Sequence, residues 1–175
     1  MKKLFTPLLM IFIYHSLFAQ KLPCSQPEFR QFDFWIGEWE AFAKNGKKAG
    51  DSKISQILDS CIILEEWTSA SLFTGLRYAG KSFNTWNTSL HQWQQTWVDN
   101  VGGSTAYVKG AYENKKIVFN TDPFQFSKDT IAVRRLTFFD LGPDKVRQLR
   151  EITKDKGTTW ATEYDLEYRR KKRPA

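Results

Sequence analysis

From Trp39 onward the apolar residues of this chain recur every second position, in runs separated by turn-forming residues at hairpin spacing. A period of two places alternate side chains on opposite faces of a strand. Such runs predict strands over 39–43, 52–58, 61–69, 76–86, 91–99, 104–112, 115–121, 131–139, 145–153 and 158–169. Asn45-Gly46, Gly102-Gly103, Glu113-Asn114, Gly142-Pro143 and Lys156-Gly157 supply the residues that tight turns require. The final run alternates most cleanly, with Trp160, Thr162, Tyr164, Leu166 and Tyr168 on one face and Ala161, Glu163, Asp165, Glu167 and Arg169 on the other. Many antiparallel strands with hardly any helix define an all-β sandwich or a closed barrel.

One short helix is expected before the first strand. Ser25 is its N-cap, Pro27 sits near the first helical position and Glu28 lies in the first turn. Phe29, Phe32 and Trp35 follow at a spacing of three, which sets an aromatic stripe on one face. Gly37 ends the helix and Trp39 opens the first strand. This helix-Gly-x-Trp step favours a barrel with one end plugged by aromatic rings.

The first nineteen residues read as a leader rather than as fold: Lys2 and Lys3 precede a mostly apolar run from Leu4 to Phe18, with Leu17-Phe18-Ala19 as the cleavage site. That run is shorter than the ~20 residues a transmembrane span needs. The domain plan is therefore a signal peptide over 1–19, a barrel over 20–168 and a basic tail over 169–175. The mature chain is expected to be exported, periplasmic or secreted, with no transmembrane anchor. In an oxidising compartment Cys24 and Cys61 are expected to form a disulfide.

Net charge argues against nucleic acid as a partner. The formal charge of +7 falls to +5 without Lys2 and Lys3, and Arg169, Arg170, Lys171, Lys172 and Arg173 account for all of it. A nucleic-acid binder carries its charge on a face or groove; here residues 20–168 are formally neutral.

The longer pattern carries a resemblance. Phe32-Asp33-Phe34-Trp35-Ile36-Gly37-Glu38-Trp39 is followed by Cys61…Glu65-x-Trp67, Gly80-x-Ser82, Trp93…Trp97-Val98-Asp99, and Trp160 before a Tyr-Arg-Arg end. Together these are similar to a family of exported bacterial lipocalin-like (calycin) proteins of unknown function. The resemblance implies a single up-and-down antiparallel barrel of about 8–10 strands, and the Cys24–Cys61 pairing fits it. It implies no activity. The basic, aromatic turn expected around Tyr78-Ala79-Gly80-Lys81 departs from the family pattern.

The residue inventory excludes several chemistries. Beyond the leader His91 is the only histidine, so a three-histidine zinc site is impossible. A Ser-His-Asp triad or a histidine-ligated haem would depend on that one residue, near the Asn87-Thr88-Ser89 turn. No metal and no cofactor are expected. What remains is an aromatic wall with a few polar anchors, the usual build of a small-ligand site. The candidate ligand-binding residues are Glu65, Trp67, Gln95, Trp97, Asp99, Arg150 and Trp160, with Arg150 as the candidate partner of Glu65. The sequence thus points to a small, partly apolar or aromatic ligand inside the barrel. Two other readings stay open: an enzyme using paired carboxylates (Glu65 with Asp99 or Glu151) on a sugar or small metabolite, and a cell-envelope interaction protein.

Overall fold

A computed structural model describes residues 24–172; the leader expected over 1–19 and the end of the basic tail lie outside them. Eleven strands follow two short 3₁₀ turns: β1 (Gly37–Ala43), β2 (Lys48–Ile57), β3 (Ile62–Phe73), β4 (Leu76–Asn87), β5 (Gln92–Asp99), β6 (Ser104–Glu113), β7 (Lys116–Asn120), β8 (Phe124–Ser127), β9 (Thr130–Asp140), β10 (Lys145–Thr153) and β11 (Ala161–Arg170). Each pairs antiparallel with its sequence neighbour, except that β7 joins β9 directly. β11 pairs with both β10 and β1. Ten strands thereby close an up-and-down barrel with no free edge in the ring. β8 is a side strand hairpinned onto the start of β9.

The turns expected at Asn45-Gly46, Gly102-Gly103, Glu113-Asn114, Gly142-Pro143 and Lys156-Gly157 fall between or at the ends of strands, and the ten expected runs correspond to β1–β7 and β9–β11. β8 was not among them, because Phe124-Gln125-Phe126-Ser127 is too short for its alternation to stand out. The segment Tyr78–Lys81, expected as a turn, lies inside β4. Its basic and apolar residues simply alternate across a strand.

The short helix expected before β1 is present as two 3₁₀ segments, Pro27–Arg30 and Asp33–Trp35. A spacing of three is the period of a 3₁₀ helix, in which residues three apart eclipse one another. Phe29, Phe32 and Trp35 therefore share one face, as expected, on a tighter helix. Gln26 rather than Ser25 occupies the N-cap position, and no side chain caps it.

This aromatic face closes one end of the barrel. Phe32 stacks on Trp35 at 5.1 Å and meets Phe138 edge-on at 4.9 Å. Trp35, Trp39, Trp93, Phe119 and Phe138 are almost fully buried around them. Trp39 Nε1 donates to the Trp35 carbonyl at 2.8 Å, and Trp93 Nε1 donates to Gln31 Oε1 at 3.0 Å. The Cys24–Cys61 disulfide pins the plug to the β2–β3 turn. There Arg30 Nη2 also donates to the Ser60 carbonyl at 2.7 Å.

The basic run at the C-terminus begins inside this construction. Arg169 and Arg170 belong to β11 and pair with Glu40 and Trp39 of β1. The Arg170 guanidinium lies over the Trp39 ring at 4.1 Å, and its Nη1 donates to the Ile36 carbonyl at 3.0 Å. Gly37, at φ 141°, leaves the space that this guanidinium fills.

Outward faces carry ion pairs, for example Lys81–Glu66 and Arg147–Asp165 at 2.8 Å and Arg135–Glu151 at 2.9 Å, together with scattered exposed apolar residues such as Phe83 and Val98.

Candidate functional site

Above the plug the interior changes character. A layer of buried polar side chains crosses the barrel: Ser52 on β2, Glu65 on β3, Ser82 and Asn84 on β4, Gln95 on β5 and Gln148 on β10. Each follows an apolar residue two positions nearer the plug or faces one across it, so strand alternation aims them all inward. Over this layer lies a cavity of about 310 Å³ that opens at the far end of the barrel. Trp67, Trp97, Tyr78, Tyr107, Tyr164 and Arg150 are among its walls, with Glu65, Gln95 and Gln148 towards its floor.

Two glycines make room for the tryptophans. A Cβ at Gly50 would run into the Trp67 ring, and one at Gly80 into the Trp97 ring. Each indole therefore lies against the backbone of the neighbouring strand, which a side chain there would prevent. Trp97 is held further by its Nε1, which sits 3.2 Å from the Tyr78 hydroxyl and 3.3 Å from Asp99 Oδ2.

Glu65 is 2% exposed. It accepts hydrogen bonds from Ser52 Oγ at 2.9 Å on one carboxyl oxygen and from Ser82 Oγ at 3.0 Å on the other. The Tyr168 hydroxyl adds a longer contact to Glu65 at 3.5 Å and a shorter one to Gln148 Oε1 at 2.8 Å. Asn84 continues the network, donating to Ser82 Oγ at 3.0 Å and accepting from Gln95 Nε2 at 2.6 Å. Burial pushes the Glu65 carboxyl up to about 7, against the three hydroxyls that pull it down. Burial likewise raises Tyr164 and Tyr168 far above the usual tyrosine range.

Arg150 does not meet Glu65, contrary to the pairing expected. Its Nε lies 2.9 Å from Glu163 Oε2, and its guanidinium covers the Tyr164 ring at 4.5 Å. The two residues sit at different heights in the barrel, which separation along the sequence could not reveal.

Trp160 is a second correction. Arg150 pairs with Tyr164 but Glu151 pairs with Thr162, so Glu163 is an extra residue in β11. A bulge of one residue reverses the facing of everything beyond it. Tyr164, Leu166 and Tyr168 face inward as expected, whereas Trp160 turns out of the cavity and stacks against Arg135, 4.0 Å from the ring centre.

The paired carboxylates of the enzyme reading are not assembled either. Glu65 is the one carboxylate among the lining residues. Glu151 is outside, bound to Arg135. Asp99 sits at the rim as a brace. Its carboxylate accepts from the Tyr78 hydroxyl at 3.0 Å, from Val101 N at 3.1 Å and from Gly103 N at 2.6 Å. Although burial pushes Asp99 up, these donors hold it below the ordinary value. His91 lies exposed on the β4–β5 turn at the plugged end. Among the described residues no three His, Cys, Asp or Glu side chains gather closely enough to hold a metal ion.

Five of the seven sequence-derived residues thus surround one cavity: Glu65, Trp67, Gln95, Trp97 and Arg150. Residues that sequence reasoning missed are Tyr78, Tyr107, Gln148 and the serines that hold Glu65. Gln148 stands two residues from Arg150 and so shares its face of the strand, which was a usable signal; nothing in the sequence placed Ser52 and Ser82 beside a carboxylate.

Compared with known proteins, the chain matches no family model and no curated relative.

Proposed function

We propose that this protein is an exported lipocalin-like barrel that binds a small, partly apolar or aromatic ligand in its interior. The observation that carries this reading is the cavity of about 310 Å³ with aromatic walls and a polar floor. Its size stands at the lower end for small-molecule sites, which run from about 300 to 1,000 Å³. The glycines under Trp67 and Trp97 support it as well, because a barrel needing only a filled core gains nothing from rings laid flat along its walls. Export rests on the leader expected over 1–19 and agrees with the Cys24–Cys61 disulfide. The lipocalin-like assignment rests on the sequence pattern, joined by the Gly37, Trp39 and Arg170 contact that locks the barrel's first strand to its last.

Native mass spectrometry of protein purified from its own source tests the reading. The expected result is a bound small molecule that is lost on denaturation. A protein that carries none, and whose tryptophan fluorescence responds to no fraction of a metabolite extract, overturns it.

A further inference from the structure

Glu65 raises a question of charge that the barrel by itself does not answer. The hydrogen bonds around it are laid out for an ionised carboxylate. Ser82 accepts from Asn84, which leaves its own proton for Glu65; Ser52 donates to the other oxygen; the Tyr168 hydroxyl, closer to Gln148, adds a longer contact at 3.5 Å. Two donors are thus aimed at a carboxylate that, among the described residues, has no cationic partner. A buried charge without one is strongly disfavoured.

Arg150, the one cation among the lining residues, is held by another carboxylate. Arg150 and Arg134 both contact Glu163 at 2.9 Å, and Asp99 faces the same mouth with hydrogen-bond donors but no cation. Arg150 is thus engaged by Glu163, while Glu65 on the floor has no ion-pair partner among the described residues. Around it the faces of aromatic rings are negative and attract cations.

The geometry points to a protonated amine on a flat, apolar body as the ligand of this cavity, its ammonium seated on Glu65 and its body among Trp67, Trp97 and Tyr164. This rests on the interior binding proposed above and names the class of ligand. The ammonium supplies the missing counter-charge, donates to the carboxylate oxygens and lies beside the rings. A carboxylate ligand would meet Glu65 as a like charge. A neutral alcohol would leave the carboxylate unpaired.

A matched trio with one body and three end groups tests this: tryptamine, the corresponding indole alcohol and indole-3-propionate, with a phenyl trio as a second body, each titrated by calorimetry into the full-length mature protein. The amine is expected to bind at least about tenfold more tightly than the alcohol at about pH 8, and the acid most weakly. Glu65→Gln is expected to abolish that preference while leaving the affinity for the alcohol within about twofold.

The wild-type protein gives an independent readout. The groups facing Glu65 or the cavity are Tyr78 on β4, Asp99 on β5, Tyr107 on β6, Arg150 on β10, and Tyr164 and Tyr168 on β11. The tyrosines are shifted up and Asp99 down, so Glu65 alone changes charge between about pH 5.5 and 8.5. Affinity for the amine is therefore expected to rise across that range while affinity for the alcohol stays level. If the alcohol or the acid binds as tightly as the amine, the amine inference is overturned and interior binding stands. If no member of either trio binds at millimolar concentration, both are overturned.

Discussion

Replacing Glu65 by Gln separates the electrostatic cost of this residue from its packing. In the unfolded chain the carboxyl ionises near its ordinary value of 4.5, and in the folded barrel near 7. Below about pH 4.5 it is protonated in both states and imposes no penalty. As the pH rises towards 7, the unfolded chain releases the proton and the folded barrel keeps it, so the folded state loses stability through that window. At ~1.4 kcal/mol per pH unit, the interval from 4.5 to about 7 amounts to about 3 kcal/mol. Glutamine keeps the shape and one acceptor but turns an NH₂ group towards a serine hydroxyl, at a cost of about 1 kcal/mol. Glu65→Gln is therefore expected to be slightly less stable than wild type near pH 4 and about 2 kcal/mol more stable near pH 8. For a domain of this size that is a rise in Tm of about 4–8 °C. The assay is urea unfolding followed by tryptophan fluorescence, with the disulfide intact and no ligand added, on both proteins from about pH 4 to 8.5. Groups that titrate alike in the two proteins cancel in the difference. Parallel stability curves would refute the reasoning, because Glu65 would then ionise as freely folded as unfolded.

Gly37→Ala places a Cβ against the Arg170 guanidinium at a φ of 141°, and a loss of about 1–3 kcal/mol is expected in urea melts; adding Arg170→Ala should relieve the overlap but not the backbone strain. Breaking the disulfide with Cys24→Ser/Cys61→Ser opens a loop spanning 37 positions, which the chain-entropy relation values at about 4 kcal/mol; reduction of the wild type should shift the urea midpoint as far. With tryptamine as probe, Trp97→Ala is expected to weaken binding about tenfold, whereas Trp160→Ala should leave it unchanged. Equal losses from the two substitutions would place Trp160 in the cavity and contradict the bulge at Glu163.

The alternation from Trp39 onward and the turn residues between runs were enough to establish ten strands, because strand periodicity and turn stereochemistry are local properties. Phe29, Phe32 and Trp35 at a spacing of three, followed by Gly37, gave the plug for the same reason. Which residues share a face of β3 and β5 was also legible, since Ile63, Glu65 and Trp67, and Trp93, Gln95 and Trp97, must fall together at a period of two; which face turns inward was not.

Tertiary structure alone decided how those faces meet. Whether Glu65 lies beside Arg150 or beside Ser52 and Ser82 depends on the stagger with which the sheet closes, a quantity no single strand encodes. Trp160 shows the limit most sharply: one unpaired residue, Glu163, reverses its side, and that residue appears only once β11 has a partner to be out of step with. The sequence by itself determined a barrel with aromatic walls. Closure decided that Glu65, the one carboxylate lining the cavity, would be surrounded by hydroxyls and left without a counter-charge among the described residues, because pairing in a closed sheet is a relation between distant segments.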